Sequence, residues 1–424
     1  MPRGFHLLMA AQFASALADN ALLIVAIAVL HAQGLPPWWA PLLKFALVFC
    51  YVALAPLLGP LADAMPKARL MAWMNGVKII GLLAMAAGVH PVAAFAIVGF
   101  GAAAYAPAKY GLVTEIVPPA RLVAANGWIE VTVVCAVLLG TVLGGALVTD
   151  VLRGSAASQA LREAMPGVGL GAGGDLTLSI VAVLAIYALA ALLNLGVPAS
   201  GARYPRASIH PVALLSDFAR ANVTLWRDRD GGYSLAVTSF LWGAGATLQF
   251  AVLRWATDVH GLGLDRAAVL QGLVALGVIA GAALAGRLFG LDDARRLLPV
   301  GIGLGLLVPA VASAPTLGVA LPMLVVIGAL AGALVVPMNA LLQHRGHRVL
   351  SAGRSIAVQG FNENLSVLAM LAAYAALLGA EVPIVTLMWG FGILITSALG
   401  ALWWRQRAAP PASASPTEAP IPPA

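Results

Sequence analysis

Charge is what this chain of 424 residues has least of: Lys, Arg, Asp and Glu make up 10% of it, against 61% apolar residues and a mean hydropathy of +0.94. Soluble domains carry about 25% charged and about 45–50% apolar residues, so a water-soluble globule is excluded and an integral membrane protein remains. Cysteine is scarce, with two in the chain. Cys50 and Cys135 sit in apolar runs without the spacing of a metal site or a disulfide framework, and act there as small hydrophobes. The sequence has no H-E-x-x-H, no G-x-S-x-G and no phosphate-binding P-loop. This argues against an enzyme, gives no cofactor a home, and excludes pumping driven directly by ATP for this chain alone. Alternation of apolar and polar residues is missing from runs such as "VAVLAIYALAALLNLGV", which rules out a β-barrel. The net charge of +7 does not point to nucleic acid, because basic residues of membrane proteins gather in cytoplasmic loops.

Long apolar runs, by contrast, are abundant. A hydrocarbon core of about 30 Å takes roughly 20 helical residues to cross, and runs of that order fall at 6–31, 40–61, 70–88, 91–111, 122–148, 177–197, 233–257, 267–289, 297–312, 318–342, 355–379 and 383–404. The expected fold is an all-α membrane protein of about twelve transmembrane helices. The first run has no small-residue cleavage site after it and reads as a retained helix. With the N-terminus inside, the inner connections collect Lys67, Arg69, Arg121, Arg203, Arg206, Arg220 and most other cations. The outer ones keep only Arg153, Arg162 and Arg266. Both termini are therefore expected in the cytoplasm.

The organisation expected is a six-helix half over 1–197, a cytoplasmic linker over 198–232, a second half over 233–405 and a disordered Pro- and Ala-rich tail over 406–424. In the linker, "HPVALLSDFARANVTLWRD" spaces Leu214, Leu215, Phe218, Leu225 and Trp226 as a helix does, and an amphipathic helix at the membrane surface is expected. The outer loop near 153–175 is small, polar and Gly-rich, a flexible loop with room for a short helix. The halves echo each other: "YAPAKYG" (105–111) and "VVPMNAL" (335–341) each put a proline near the cytoplasmic end of a helix. A six-plus-six repeat is the major facilitator arrangement, with substrate between the halves near the midplane.

Ionisable residues inside the spans are few: Asp19, Lys44, Lys78, Lys109, Glu130, Arg254 and Glu363. Facing lipid at a helix centre, each would cost roughly 2.5–3.5 kcal/mol on insertion scales, so each must face a cavity, find a partner or snorkel. Lys44 and Lys109 lie near helix ends and can snorkel. Lys78, Glu130 and Glu363 lie deeper and suit either ion pairs or substrate contact. Asp19 is too short to reach the interface from mid-helix and is the leading functional candidate. His344, Arg345, His347 and Arg348 read as solvated residues of a cytoplasmic loop. "GPLADAMPKAR" (59–69) carries Gly59, Asp63, Lys67 and Arg69 in the G-x-x-x-D-x-x-x-[RK]-x-[RK] pattern of major facilitator proteins, which makes Asp63, Lys67 and Arg69 candidate gate residues.

A narrower likeness lies in "AQFASALADNALL" (11–23), "GAAAYAPAKYGLVTEIV" (101–117), "ANGWIE" (125–130), "SFLWGAGATLQF" (239–250), "VVPMNALLQHRG" (335–346) and "SIAVQGFNEN" (355–364). Together these blocks resemble the bacterial lysophospholipid transporter family. The resemblance implies transfer of lysophosphatidylethanolamine and related lysolipids from the outer to the inner leaflet of the bacterial inner membrane, feeding a cytoplasmic-face acyltransferase as functional partner. It points to Asp19, Asn20, Lys109, Tyr110, Glu130, Trp242 and Gly243, and it implies that Asp63 meets a helix N-terminus of the other half. Gln249 stands where the family pattern has an arginine, leaving Arg254 as the nearest cation in that helix. A lysolipid needs a cation for phosphate, an anion or amide for its amine and an apolar slot. Lys109 or Arg254, Asp19 with Asn20, and the small-residue helices could supply these. A proton-coupled efflux transporter for amphipathic drugs would use the same fold and the same Asp19. A membrane component that docks an acyltransferase without transporting is the other alternative.

Overall fold

The computed structural model describes residues 1–36, 38–165, 176–205 and 210–408. Arg206, the Gly-rich stretch 166–175 and the tail from 409 onward lie outside the described residues.

The long apolar runs become helices because a backbone in lipid must satisfy its own N–H and C=O groups. In the first half these are α1 (Arg3–Ala32), α2 (Trp39–Ala53), α3 (Ala55–Ala64), α4 (Lys67–Ala86), α5 (Pro91–Ile116), α6 (Leu122–Leu147), the short α7 (Asp150–Arg153) and α8 (Ala156–Ala164), and α9 (Thr177–Leu195). A linker helix α10 (Pro211–Arg227) follows. The second half holds α11 (Arg229–His260), α12 (Leu264–Leu288), α13 (Leu298–Ala312), α14 (Leu317–Val349), α15 (Ala352–Gly379) and α16 (Ile384–Ala408). Among the described residues 11 helices are long and apolar enough to cross a membrane, and 12 spans result when the bent pair α2 and α3 counts as one.

That pair departs from the single helix expected over 40–61. The chain bends by 69° at Leu54, where Pro56 lacks the N–H for an intrahelical bond and crowds the preceding turn. Two other helices overrun their expected ends. The charged sequence "QHRGHRV" continues α14 to Val349, so His344, Arg345, His347 and Arg348 occupy the last turns of a helix and not a loop. α5 likewise runs to Ile116, carrying Glu115 in its last turn.

The linker helix has two apolar faces. Ala221 and Leu225 are buried, with Leu214 and Phe218 half-buried on the same side, and Phe218 meets Phe361 of α15 edge to face at 5.2 Å between ring centres. Leu215 and Trp226, grouped with them by spacing, are exposed, and Trp226 still donates its indole N–H to Asn362 of α15 at 3.1 Å.

The core explains how the halves are joined. One cluster, built on Leu22, Val29, Leu43, Phe95 and Ile180, belongs to the first half alone, and another, built on Trp255, Leu298, Val308 and Leu324, belongs to the second. A third cluster, at the end that carries the termini, combines Phe5, Leu8, Leu112 and Ile129 with Ala282, Val336, Ala340 and Ala357. The halves thus share a core at one end and keep separate cores elsewhere. The seam depends on small residues: a Cβ on Gly127 of α6 would sit 2.9 Å from the Ala282 oxygen and 3.2 Å from the Gly286 Cα of α12.

Candidate functional site

Asp19 lies mid-way along α1 and does find a partner. Lys78 of α4 donates to its Oδ2 at 2.8 Å, and the Tyr187 hydroxyl of α9 donates to Oδ1 at 2.8 Å. Lys78 also donates to Ser15 at 2.9 Å, and Ser15 donates to Asn75 at 2.7 Å. Tyr105 and Tyr187 place their rings 5.2 and 5.7 Å from the Lys78 ammonium, a distance at which a ring face attracts a cation. The Lys78 side chain is 2% exposed and that of Asp19 21%, so the cation is enclosed while the carboxylate keeps an open edge. Asn20 turns to its own helix instead, donating to the Ala16 carbonyl at 2.8 Å, with its Cβ facing Gly140 of α6.

A second group straddles the halves. Lys109 is buried and does not snorkel; its ammonium lies 4.0 Å from the centre of the Tyr110 ring, and Glu130 of α6 is buried as well. From the other half, Glu363 of α15 accepts from Gln359 at 2.8 Å, and Gln359 also donates to Asn339 at 3.0 Å. α5, which carries Lys109 and Tyr110, packs against α15, which carries Glu363. Lys44, by contrast, is exposed on α2.

The candidates on α11 stand apart from both groups. Gln249 pairs with Gln271 of α12 at 2.8 Å, and Trp242 is 40% exposed. Gly243 packs against Ser366 and Met370 of α15. Arg254 lies toward the far end of its helix, exposed and bound to Asp258 at 3.0 Å one turn on. The structure does not bring it to Lys109.

At the termini-bearing end Asp63 reaches the first turn of α15. Its Oδ1 accepts from the Gly353 N–H at 3.0 Å, and its Oδ2 accepts from the Ser351 hydroxyl. A carboxylate is favoured there by the unpaired amides and the positive end of the helix dipole. Position 353 favours glycine, since a Cβ would lie 2.6 Å from Asp63 Oδ1 and 2.7 Å from the Gly59 oxygen and would force one of them to shift. Lys67 sits 3.5 Å from Asp63 and 2.5 Å from Glu115, whereas Arg69 is exposed and outside this contact. Asn126 of α6 and Gln343 of α14 exchange two amide hydrogen bonds of 2.9 Å across the seam. Nearby, Arg345 holds Asp228 with bonds of 2.7 and 3.2 Å, and Arg295 pairs with Asp230. Burial alone would raise the Asp228 carboxyl, but the Arg345 guanidinium and the Gly231 N–H hold it below the usual carboxylate range.

Several of these residues escaped the reading of the sequence. Tyr187, Ser15 and Asn75 complete the Asp19 site with uncharged groups, which apolar runs hide. Glu115, Asn126 and Gln343 lie inside blocks that did draw attention, but a search for charge at mid-membrane depth passed over helix ends and amides.

Comparison with known proteins matches this geometry. Residues 8–369 fit the family model described as Major Facilitator Superfamily. The lysophospholipid transporter LplT of Escherichia coli O1:K1 / APEC is 36% identical over 408 residues, covering 96% of each chain. LplT of Salmonella arizonae is 38% identical over 410 residues, covering 96% of this chain and 97% of its own. Among solved structures, the major facilitator superfamily transporter FucP in the outward conformation superposes with a TM-score of 0.70 at 19% identity, covering 96% of this chain and 98% of its own. A bacterial homologue of the iron transporter ferroportin in an outward-facing state gives 0.65 at 14% identity, covering 96% and 100%.

Proposed function

The chain belongs to the lysophospholipid transporter family of the major facilitator superfamily, and from that premise we propose that it carries lysophosphatidylethanolamine and related lysolipids from the outer to the inner leaflet of a bacterial inner membrane. Both termini then face the cytoplasm, in keeping with the bias of Lys and Arg toward that side, and residues 198–232 form a cytoplasmic linker between the halves. With the termini inside, the end closed by the shared core and the Asp63 contact is the cytoplasmic one, and the state described is read as outward-facing.

The observation that carries the reading is that Lys109 and Glu130 are buried inside the bundle, with α5, the helix of Lys109, packed against α15 of the other half, which carries Glu363. A lysophosphatidylethanolamine head group is a phosphodiester anion and an ammonium joined by two carbons. Lys109 takes the phosphate, with Tyr110 packed against the Lys109 ammonium. Asp19, whose carboxylate has an open edge, and the two glutamates offer charges to the ammonium. A hydrogen bond to a charged group contributes about 1.5–3 kcal/mol, enough to select a charged head group over a neutral amphiphile. Breaking the Asp63 contact with α15 then opens the cytoplasmic end, and the lysolipid leaves to a reaction that acylates its free hydroxyl. An acyltransferase at the cytoplasmic face is the class of enzyme that consumes it.

Uptake of labelled lysophosphatidylethanolamine into proteoliposomes tests this. Wild-type protein should accumulate label, and Lys109→Gln should lower uptake by ten- to a hundredfold. Uptake no faster than in empty liposomes, with or without imposed ion gradients, would refute it. Single cysteines near residue 160 should react with an impermeant reagent outside spheroplasts, and those near 67, 205 and 345 should not.

A further inference from the structure

α6 and α14 belong to opposite halves, and at the termini-bearing end they meet through a pair of uncharged polar side chains. Asn126 of α6 donates to Gln343 Oε1 at 2.9 Å, and Gln343 of α14 donates back to Asn126 Oδ1 at 2.9 Å. Both residues are buried, at 3% and 1% exposure. The Asn126 amide also donates to the Leu122 carbonyl of its own helix at 3.0 Å. On α14, Gln343 stands in a polar row, with Asn339 one turn toward the membrane interior and His347 one turn toward the helix end; residues four apart share a helix face. Asn339 accepts from Gln359 at 3.0 Å, and Gln359 donates to Glu363 at 2.8 Å. At the other end of the row, His347 lines an open cavity of about 420 Å³ together with His344, Arg348, Glu115 and Leu122. The row thus leads from Glu363 to the cavity, and the Asn126–Gln343 pair sits in the middle of it.

We propose that Asn126 and Gln343 are positioning residues for transport, an uncharged latch that holds the halves together at the cytoplasmic end and, on opening, frees the polar row of α14 as the path by which a lysolipid head group leaves. The proposal rests on the transporter reading above, which supplies the two states and the cargo. A contact that forms and breaks in every cycle needs partners of similar strength on both sides of the step. While the halves are closed, the two amides satisfy each other away from water. Once they part, water from the cavity replaces each bond, and the net difference is small. An ion pair in the same dry seam would carry a far larger desolvation cost. The Leu122 bond lies within α6 and survives the separation, keeping the Asn126 side chain in place to pair again. Gln343 has the longer side chain and is the half that swings free. A charged head group crossing an apolar seam would lose its hydration without return. Asn339, Gln343 and His347, at successive turns, offer it hydrogen bonds instead.

The first readout uses full-length protein in nanodiscs without lysolipid, carrying spin labels at Ala120→Cys and Arg296→Cys in a Cys50→Ala, Cys135→Ala background. Both label sites are exposed, and they lie on opposite halves at the termini-bearing end. With the latch intact, one short distance should dominate. Asn126→Leu leaves the Gln343 amide buried and unpaired only while the halves are closed, and should raise the ratio of the longer to the shorter distance by about tenfold. Exchanging the pair, Asn126→Gln with Gln343→Asn, restores two amides of the same total length and should return most of the population to the short distance. A packing role predicts instead that Asn126→Leu lowers the melting temperature with the distribution unchanged, and that outcome would overturn the latch. So would an exchanged pair as open as Asn126→Leu, since the shape of the seam and not its pairing would then decide. The second readout is the rate at which an impermeant thiol reagent reaches Asn339→Cys from the cytoplasmic face of inside-out vesicles, in the same Cys50→Ala, Cys135→Ala background. Asn126→Leu should speed it about tenfold, in step with the distance ratio; a thiol that stays unreactive in the opened protein would show that the row is not the path. Both readouts are taken with no substrate present, so failure of lysolipid uptake by the wild type would count against the transport reading and not against the latch.

Discussion

Asp19→Asn separates what the carboxylate does for the fold from what it does for transport. The substitution keeps the size of the side chain and an acceptor for Tyr187, but leaves the Lys78 ammonium, 2% exposed, with no counter-charge. Ser15 and the rings of Tyr105 and Tyr187 remain around it, none of them an anion. Removing one member of a buried pair costs about 3–5 kcal/mol, because the remaining charge is stranded away from water. Against a total stability of about 5–15 kcal/mol, the purified variant should melt at a clearly lower temperature in nanodiscs than wild type. Adding Lys78→Met removes the stranded cation, and replacing both charges of a buried pair is often neutral or stabilising. The double variant should therefore recover most of the lost midpoint. If the carboxylate also receives the lysolipid ammonium, the recovered protein should still take up almost no lysophosphatidylethanolamine. An Asp19→Asn protein as stable as wild type would refute the ion-pair reasoning. A stable double variant with normal uptake would reduce Asp19 to helix packing.

Arg254→Gln should change uptake less than twofold and stability by no more than about 1 kcal/mol, the range for an exposed ion pair, because Arg254 is half-exposed and bound to Asp258; a loss equal to that of Lys109→Gln would return the phosphate site to α11. Gly353→Ala pushes a methyl group into Asp63 and the Gly59 carbonyl, an overpacking of about 1–3 kcal/mol that falls on the closed state; alkylation of Ser355→Cys from the cytoplasmic side should speed up, and an unchanged rate would count against the gate. Asp228 is held below its ordinary pKa by Arg345, so its stabilising effect is present above the unfolded value of about 3.9 and fades as pH falls through the folded one. Asp228→Asn should lower the melting midpoint by a constant amount from about pH 8 to 5 and by less below about pH 4, and a difference that grows toward low pH would reverse the assignment.

The spans and the need of Asp19 for a partner were legible because each follows from one strong local term, the free energy of apolar residues in lipid or of a charge without water, whereas the meeting of Asp63 with a helix N-terminus was legible only through the family motif. What stayed hidden depends on relations between distant segments. Leu214, Leu215, Phe218, Leu225 and Trp226 share a helical period, yet only α3, α11 and α15 packing on one side of α10 decides that Leu214, Phe218 and Leu225 turn inward. Lys109 looks like a residue able to reach the interface until α5 extends five residues further, to Ile116, and buries it. Tyr204 is one aromatic residue in a polar linker, and its spacing says nothing. Its position matters only because its hydroxyl returns to Glu115 at the end of α5, 89 residues earlier. The same logic ranks the proposed gate above the proposed substrate ligands in how firmly the fold specifies it. Every contact of Asp63, Lys67, Glu115 and Tyr204 is made between protein groups in this state, whereas Lys109, Glu130 and Glu363 hold charges across a seam that a ligand's own charges can complete.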